Sequence, residues 1–176
     1  MFTSMLNTYS PQDLRRHLYN TCSSEQWVEQ VVMESPFGSE STFVQAVDKA
    51  FKSMTPAQWL EAFAGHPMIG DVDSLRKKYA DTRKQASNEQ SSVAEASEET
   101  LQRLAELNQA YFQRHGFIFI VFASGKSADE MLALLEERLP RTTEEETAAA
   151  AQEQRKITAL RLSQWLKTPW LAKELA

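Results

Sequence analysis

The chain has 176 residues, 42% hydrophobic content and a formal net charge of −5 at pH 7, which together predict one acidic domain spanning 1–176 with one core. Because its basic residues are dispersed among acids, they form no nucleic-acid-binding stripe, and no apolar run approaches the ~20 residues of a membrane span. The only cysteine, Cys22, excludes an internal disulfide and a cysteine-based metal cluster, so we expect a cytoplasmic protein.

The first part of the chain predicts three helices. Ser10-Pro11-Gln12-Asp13 combines an N-cap serine, a first-turn proline and an acid three residues after the cap. Thr55-Pro56-Ala57-Gln58 repeats this pattern and starts a helix that Gly65 ends. Between them, apolar residues recur at helical spacing and predict a further helix, and these are Phe43, Val47, Ala50 and Phe51.

A longer helix and an apolar run follow. The helix is predicted from about Ser91 to His115 and ends at Gly116, and its apolar side carries Leu101, Leu104, Ala105, Tyr111 and Phe112. The run Phe117–Phe122 is continuously apolar and β-prone, but no second run of similar quality is present to pair with it. We therefore expect an extended connector buried between helices, whose backbone N–H groups need partners. A bound ligand is one candidate partner.

Two more helices complete the prediction. Ser127-Ala128-Asp129-Glu130 and Thr143-Glu144-Glu145-Glu146 both carry the capping pattern, and the second of these helices extends to about Lys167 before Pro169. We expect its three first-turn glutamates in solvent, and its buried side to be marked by Ile157, Leu160 and Trp165. The chain is thus predicted to be all-α, a single-domain compact helical bundle with a buried extended connector and no β-sheet.

His66 is the first candidate for an acid or base. It follows the helix-ending Gly65 and precedes Pro67, so its backbone is restricted at a place where a side chain can face a cleft. The pKa of histidine lies near neutrality, which suits proton transfer at working pH. A capping or buried structural histidine is the alternative. His17 and His115 lie among helical surface residues and are assigned structural or solvent roles.

Two other segments carry groups of chemical interest. Ser87-Asn88-Glu89-Gln90 joins a carboxylate to hydroxyl and amide groups, although the segment taken alone favours a structural role, with Ser87 as a helix cap and Glu89 in the first turn. Arg161 lies in an apolar context, where it either extends to solvent along its stem or, if buried, needs an anion.

Ser124-Gly125-Lys126-Ser127 contains part of the pattern of a phosphate-binding loop. The full pattern needs a glycine five residues before Gly125, and that position is Ile120. Without this glycine the loop cannot wrap a phosphate in backbone amides. We therefore interpret Ser127 as an N-cap and expect no nucleotide site.

In combination, these segments resemble one family, the 2-oxo-4-hydroxy-4-carboxy-5-ureidoimidazoline (OHCU) decarboxylases. The resemblance extends from about Leu6 to Leu162 and rests on several stretches taken in order, which are Trp59–Phe63, His66–Asp71, Ser87–Gln90, Asn108–Phe112, Gly116–Phe119, Arg138-Leu139 and Ile157–Leu162. The sequence departs from the family pattern at Ser35, where many relatives have arginine, and at Met68, a position that is often basic. Both departures bear on packing or surface charge rather than on the inferred chemistry.

The resemblance implies a cofactor-independent, metal-free carboxy-lyase that converts OHCU stereospecifically to (S)-allantoin in urate catabolism. It implies that His66 is the acid/base residue and that Glu89 orients it or holds the substrate hydroxyl, which would also raise the pKa of the histidine. The remaining substrate contacts that it implies are Pro67, Ser87, Gln90, Ile118, Phe119, Ile120, Val121, Phe122 and Arg161. It further implies a homodimer that acts on a small molecule and has neither nucleic acid nor membrane as a partner.

Two alternative functions are also consistent with these residues. A cofactor-free hydrolase acting on a ureide or cyclic amide would use His66 and Glu89 to activate water, and it would open the ring where a decarboxylase releases carbon dioxide. A helical adaptor would use exposed tryptophan and phenylalanine residues to bind a partner, with a structural His-Pro turn. The adaptor predicts no perturbed histidine and no stabilisation by small ligands.

Overall fold

The computed structural model describes residues 2–68, 70–86 and 96–176, and throughout these ranges the regular structure is helical. The helices are α1 (Phe2–Leu6), α2 (Pro11–Thr21), α3 (Glu25–Met33), α4 (Glu40–Ser53), α5 (Pro56–Ala64), α6 (Val72–Ala86), α7 (Glu98–His115), α8 (Ala128–Arg138), α9 (Thr143–Trp165) and α10 (Trp170–Leu175). Since the described ranges contain no strand, the predicted all-α fold without a sheet is confirmed. Within the same ranges, every helix is too short or too polar to cross a membrane.

Capping side chains explain where the helices begin. Ser10 Oγ accepts the backbone N–H of Asp13 at 3.1 Å at the start of α2. Ser127 and Glu130 cap α8 reciprocally, with bonds of 3.2 Å and 2.7 Å between each side chain and the other residue's backbone N–H. These starts are where the sequence predicts them, because each cap satisfies N–H groups that the first helical turn leaves without a partner.

The start of α9 differs by one residue from the prediction. Thr142, and not Thr143, is the capping residue: its Oγ1 accepts the backbone N–H of Glu145 at 3.2 Å, and Glu145 Oε2 accepts the backbone N–H of Thr142 at 2.9 Å. The shift turns Glu146 inward, where it is fully buried. The expectation that all three glutamates of this turn lie in solvent was therefore wrong for Glu146.

The described chain divides into two compact units, of which the first comprises Met1–His66, Ile120–Phe122 and Thr147–Ala176. Within it, α3 packs against α2, α4 and α5, while α1 and α10 pack against α4. Trp27 is fully buried with its ring 5.3 Å from that of Phe51, which in turn stacks on Trp59 at 5.7 Å. The apolar positions predicted for the helix before Met54 are confirmed, since Phe43, Val47, Ala50 and Phe51 are all buried.

The second unit comprises Pro67–Phe119 and Ala123–Glu146, and in it α7 packs against both α6 and α8. Helix α7 starts at the Ser97 cap, so the predicted start near Ser91, which lies outside the described residues, was placed too early. Gly116 ends the helix at φ +79°, a left-handed conformation that glycine adopts without strain. Phe112 is 41% exposed, in contrast to the predicted apolar side, whereas Leu101, Leu104, Ala105 and Tyr111 are buried as expected.

A buried polar cluster lies in this second unit. Glu146 accepts the phenolic O–H of Tyr111 at 2.6 Å and pairs with Arg138 at 2.8 Å. His115, expected at the surface, is buried instead, with its ring nitrogens 3.2 Å from Thr143 Oγ1 and 3.3 Å from the Leu139 carbonyl oxygen. Because the charges are paired and hydrogen-bonded, the unit can bury them at a tolerable cost.

The buried face of α9 was also predicted incorrectly. Ile157, Leu160 and Trp165 are only half-buried. Between positions 154 and 162 the buried residues are instead two polar and two apolar ones, which are Gln154, Thr158, Ala159 and Leu162. Apolar spacing located the wrong face because hydrogen bonds to other buried groups satisfy the two polar side chains.

Candidate active site

His66 is placed by the C-terminal end of α5. Gly65 and His66 continue the helix by donating their backbone N–H groups to the carbonyls of Ala62 and Phe63, at 3.3 Å and 3.1 Å. Gly65 has an ordinary φ of −73°, so its glycine is required for space and not for backbone freedom. A Cβ atom there would lie 2.3 Å from Ser23 Oγ and 2.5 Å from Ser23 Cβ. This close approach fixes the turn that leaves the His66 side chain half-buried.

The His66 ring begins a chain of buried hydrogen bonds along α9. Its Nε2 lies 2.6 Å from Oε1 of Gln154. The Nε2 amide group of Gln154 donates to Thr158 Oγ1 at 3.1 Å, and the Thr158 hydroxyl lies 3.4 Å from the carbonyl oxygen of Thr21. Gln154 and Thr158 are both fully buried. The half-buried imidazole is therefore held from its inner side by side chains that are shielded from bulk water.

Arg161 extends the same face of α9. Gln154, Thr158 and Arg161 are separated by four and then three residues, which places them one above another on a helix. The guanidinium of Arg161 donates to the Thr21 carbonyl at 3.2 Å, and among the described residues no carboxylate forms an ion pair with it. A guanidinium is always charged and has several N–H donors, so its chemistry suits an anion.

The environment lowers the pKa of His66 below its ordinary value of 6.5. Burial is the main cause, because it disfavours the charged imidazolium, and the positive charge of Arg161 acts in the same direction. The hydrogen bond to Gln154 opposes both effects. The net direction is opposite to the rise expected from Glu89, whose position lies outside the described residues. With the described surroundings alone, His66 is neutral at pH 7 and available as a base.

The extended connector is attached to the same helix. The segment after α7 has no helix or strand, as predicted, and Ile120 within it is buried. The backbone N–H of Phe122 donates to Glu153 Oε2 at 2.7 Å, and Lys156 Nζ pairs with the other oxygen of Glu153 at 2.6 Å. This N–H group, which the sequence suggested as a ligand contact, therefore already has a protein acceptor. Val121 and Phe122 are half-buried.

The other predicted contact residues are distributed differently. Ile118 and Phe119 belong to the second unit, where the Phe119 ring lies 5.2 Å from that of Tyr111 and under the guanidinium of Arg138 at 4.7 Å. Pro67 also belongs to that unit and is exposed. Three further predicted site residues lie outside the described residues, namely Ser87, Glu89 and Gln90. Across the described ranges, no three His, Cys, Asp or Glu side chains are grouped as metal ligands would be.

Sequence reasoning missed the residues that hold His66 and the connector. These residues are Glu153, Gln154 and Thr158 of α9. They were missed because the apolar residues of the same segment predicted that a different face of the helix is buried. The signal available in the sequence was the helical spacing of Gln154 and Thr158 with Arg161, which predicts a polar stripe on one side of α9. When such a stripe includes an arginine with apolar neighbours, it indicates that the polar side chains are buried and hydrogen-bonded to one another.

Comparison with known proteins gives consistent results. The family model described as OHCU decarboxylase matches residues 7–163. The chain is 37% identical over 142 residues to the uric acid degradation bifunctional protein TTL of Arabidopsis thaliana, a match that spans 81% of this chain but 44% of the plant protein. It is 29% identical over 139 residues to a 2-oxo-4-hydroxy-4-carboxy-5-ureidoimidazoline decarboxylase of Haloferax volcanii, spanning 78% of this chain and 80% of that protein.

Solved structures agree in fold. A crystal structure of an OHCU decarboxylase in the presence of (S)-allantoin matches with a TM-score of 0.65 and 34% identity, over 85% of this chain and 96% of that one. A crystal structure of an (S)-allantoin synthase shares the fold at a TM-score of 0.66 with 20% identity, over 92% of this chain and 53% of the other. The family model matches nearly the whole sequence, and the helical fold, with His66 on the turn that Gly65 limits, agrees with it. This chain therefore belongs to the OHCU decarboxylase family.

Proposed function

We propose that this chain catalyses the cofactor-independent, stereospecific decarboxylation of OHCU to (S)-allantoin in urate breakdown. Membership of the family supports the reaction class. The observation that supports particular residues is that a neutral, half-buried His66 lies within electrostatic reach of Arg161, a cation that has no carboxylate partner among the described residues. A base and an anion-binding group are the two elements that this substrate requires.

The chemistry needs no external electron sink, because the substrate carries its own. The ring carbon that holds the carboxylate and the hydroxyl is bonded to a carbon of a C=N group. When the bond to the carboxylate breaks, its electron pair forms a C=C bond and the C=N electrons move to nitrogen, which takes a proton. The hydroxyl proton then leaves as the carbonyl forms, and a proton added to one face of the neighbouring carbon sets the stereocentre.

His66 and Arg161 have distinct roles in this sequence. His66 takes the hydroxyl proton and delivers a proton to one face of the carbon, since a neutral imidazole can serve first as base and then as acid. Arg161 binds the anionic substrate and stabilises negative charge that develops on its oxygen atoms, as a fixed guanidinium does well. Partial burial supports both roles, because electrostatic interactions are stronger where contact with water is reduced.

The remaining predicted residues complete the proposal. Glu89 orients the imidazole or holds the substrate hydroxyl, and the polar groups of Ser87 and Gln90 bind the ureido or ring amide groups. Pro67 restricts the turn after the histidine. The connector supplies contacts from residues other than the Phe122 N–H, which Glu153 already accepts. These contact residues are Ile118, Phe119, Ile120, Val121 and the Phe122 side chain.

The decisive experiment generates the unstable substrate from urate in situ and follows the circular dichroism of the allantoin formed. We expect a rapid, protein-dependent signal of the (S) enantiomer that is lost in His66→Ala, with the variant still folded by far-ultraviolet circular dichroism. Racemic product formed at the spontaneous rate by the wild-type protein would refute the proposal. Ring opening in place of carbon dioxide release would favour a hydrolase.

We also propose that the protein is a cytoplasmic homodimer, on the basis of the family resemblance and the single buried cysteine. Sedimentation velocity at micromolar concentration measures the oligomeric state directly. A mass of one chain over the whole concentration range would refute the dimer. This result is independent of the activity assay, since it needs no substrate.

A further inference from the structure

We propose that Gln154 is a positioning residue that selects the basic nitrogen of His66: it accepts the Nε2–H, so the neutral ring presents the lone pair of Nδ1 to the substrate. The inference concerns the histidine of the proposed decarboxylase site and so rests on the proposed function for its catalytic meaning. Its structural basis is the hydrogen-bond chain from His66 to the carbonyl of Thr21.

The direction of this chain is set at its far end. The Thr158 hydroxyl lies 3.4 Å from the Thr21 carbonyl oxygen, which can only accept, and it also contacts the Cys22 thiol. Its single proton is directed to one of these two groups. The Thr158 oxygen is then an acceptor for the amide Nε2 of Gln154 at 3.1 Å. This orientation leaves Gln154 Oε1 facing His66 at 2.6 Å, and an amide oxygen can only accept. The Nε2 of His66 must therefore carry the proton.

Burial makes this orientation specific. Gln154 and Thr158 are fully buried, so water does not replace a lost hydrogen bond. If the amide were reversed, its oxygen would require the Thr158 proton and would take it away from the Thr21 carbonyl or the Cys22 thiol. Arg161 donates to that same carbonyl at 3.2 Å, which keeps the acceptor at a fixed place. The tautomer of the histidine is thus coupled to the position of the anion-binding arginine.

An amide suits this position better than a carboxylate. Its oxygen accepts the Nε2–H both when Nδ1 is free and when Nδ1 is protonated, so the bond survives proton transfer without reorganisation. A carboxylate would stabilise the imidazolium and raise the pKa of His66, whereas a neutral amide leaves the ring unprotonated at pH 7. Gln154 therefore fixes the geometry of the base without adding a charge that would protonate it.

The first test needs no substrate. In long-range ¹H–¹⁵N spectra of the wild-type protein at a pH where His66 is neutral, we expect its Nε2 to be protonated and its Nδ1 to be unprotonated, with the signals assigned through His66→Ala. A protonated Nδ1 with an unprotonated Nε2 would overturn the proposal. Because this readout is independent of turnover, it stands even if the wild-type protein proves inactive on OHCU and the proposed function fails.

The second test compares substitutions on α9. In Gln154→Leu we expect a mixture of tautomers and a kcat reduced about 10- to 100-fold with little change in KM, since only the proton-transfer group is misdirected. Gln154→Glu keeps the acceptor and adds charge, so it should retain the Nε2–H tautomer while moving the acid limb of the pH–rate profile to higher pH. Gln152→Leu, at an exposed position of the same helix, is the matched control and should behave as the wild type.

Two results would contradict the assignment. A Gln154→Leu variant with the wild-type tautomer and wild-type kcat would show that Gln154 only fills space. A Gln154→Glu variant with an unshifted acid limb would show that the side chain does not contact the titrating ring. If Gln154→Leu fails to fold, the wild-type spectra and the near-isosteric Gln154→Glu variant still decide the question.

Discussion

The backbone N–H of Phe122 donates to Glu153 at 2.7 Å, so an extended segment without a sheet partner is attached to a helix by a side chain. An apolar run with β propensity normally meets its backbone hydrogen-bonding needs in a ladder. Here a carboxylate supplies one acceptor, and Lys156 holds that carboxylate from its other oxygen. The connector can therefore be well ordered in an all-helical protein.

We expect Glu153→Leu to destabilise the protein, because it leaves the Phe122 N–H without its acceptor. A lost hydrogen bond to a charged group in a partly buried place costs about 1–3 kcal/mol. The free energy of urea-induced unfolding measures this loss. Glu153→Gln retains an acceptor oxygen and should lose less. Equal stability of Glu153→Leu and wild type would show that the connector is held by other contacts.

Gly65→Ala should displace the turn that carries His66. The added Cβ would lie 2.3 Å from Ser23 Oγ, and a short serine side chain cannot move aside. Overpacking of this kind costs about 1–3 kcal/mol, and we expect activity to fall with stability. Calorimetry and the allantoin assay measure the two effects.

The steric explanation can be checked with two further variants. Gly65→Ala combined with Ser23→Gly removes the clash and should recover most of the lost stability. Gly38→Ala is the matched control, since a Cβ at Gly38 would meet nothing within 4 Å. Failure of the double variant to recover would argue against the contact with Ser23.

The pH dependence of His66 should follow the direction of its pKa. Burial and the charge of Arg161 lower this pKa below 6.5, so the neutral form persists to more acidic pH than in a free histidine. We expect the acid limb of kcat/KM, and the NMR titration of the His66 ring, to have midpoints below 6.5. In Arg161→Gln the NMR midpoint should rise. A wild-type midpoint above 6.5 would indicate that a carboxylate, with Glu89 the first candidate, dominates.

The same pKa shift has a consequence for stability. Because the folded state holds His66 with a lowered pKa, the unfolded state binds more protons as the pH falls from 6.5 through the folded value. This residue therefore contributes a loss of stability on acidification in that window and none above it. His66→Gln should reduce the slope of the unfolding free energy against pH over the same range.

Arg161→Gln should weaken substrate binding. Removing a charged donor from an anion costs about 1.5–3 kcal/mol, or roughly 10- to 100-fold in kcat/KM. Arg161→Lys keeps the charge but lacks the planar fork, so we expect an intermediate loss. Lys173→Gln removes one positive charge from an exposed position and serves as the control. An unchanged kcat/KM in Arg161→Gln would remove this residue from the proposed site.

Tyr111→Phe should destabilise the buried cluster of the second unit. It removes the phenolic donor that lies 2.6 Å from Glu146, a fully buried carboxylate, and we expect a loss of about 1–3 kcal/mol. Burial and the neighbouring carboxylate raise the pKa of Tyr111, so its hydroxyl remains a donor over the whole working range. Tyr19→Phe, at an exposed position, should be neutral in thermal unfolding.

The sequence was sufficient where local chemistry determines the structure. Serine caps and the glycine at the end of α7 are each decided within a few residues, and the structure confirms them. The same holds for the helix-ending Gly65 before His66. Such features predict an all-α fold because they depend on backbone geometry more than on distant contacts.

The features that the sequence did not predict depend on contacts between residues that are distant in the sequence. Glu146 and Gln154 have the side chains of surface residues, yet both are fully buried, because Tyr111 and Arg138 meet the first and Thr158 meets the second. Residue polarity alone predicts that both side chains are exposed. A cap at Thr142 or at Thr143 looks equally good locally, and the interior position of Glu146 distinguishes them.

The separation of Gln154 and Arg161 has a consequence for how the protein tolerates change. They are seven positions apart on one continuous helix, so the backbone rise sets their spacing along the axis at about 10 Å. Neither end of this interval lies in a loop. Loops elsewhere in the chain can gain or lose residues without altering it, whereas a single insertion between the two positions would rotate one of them about 100° away from the other. The helix thus fixes the distance between the side chain that positions His66 and the cation.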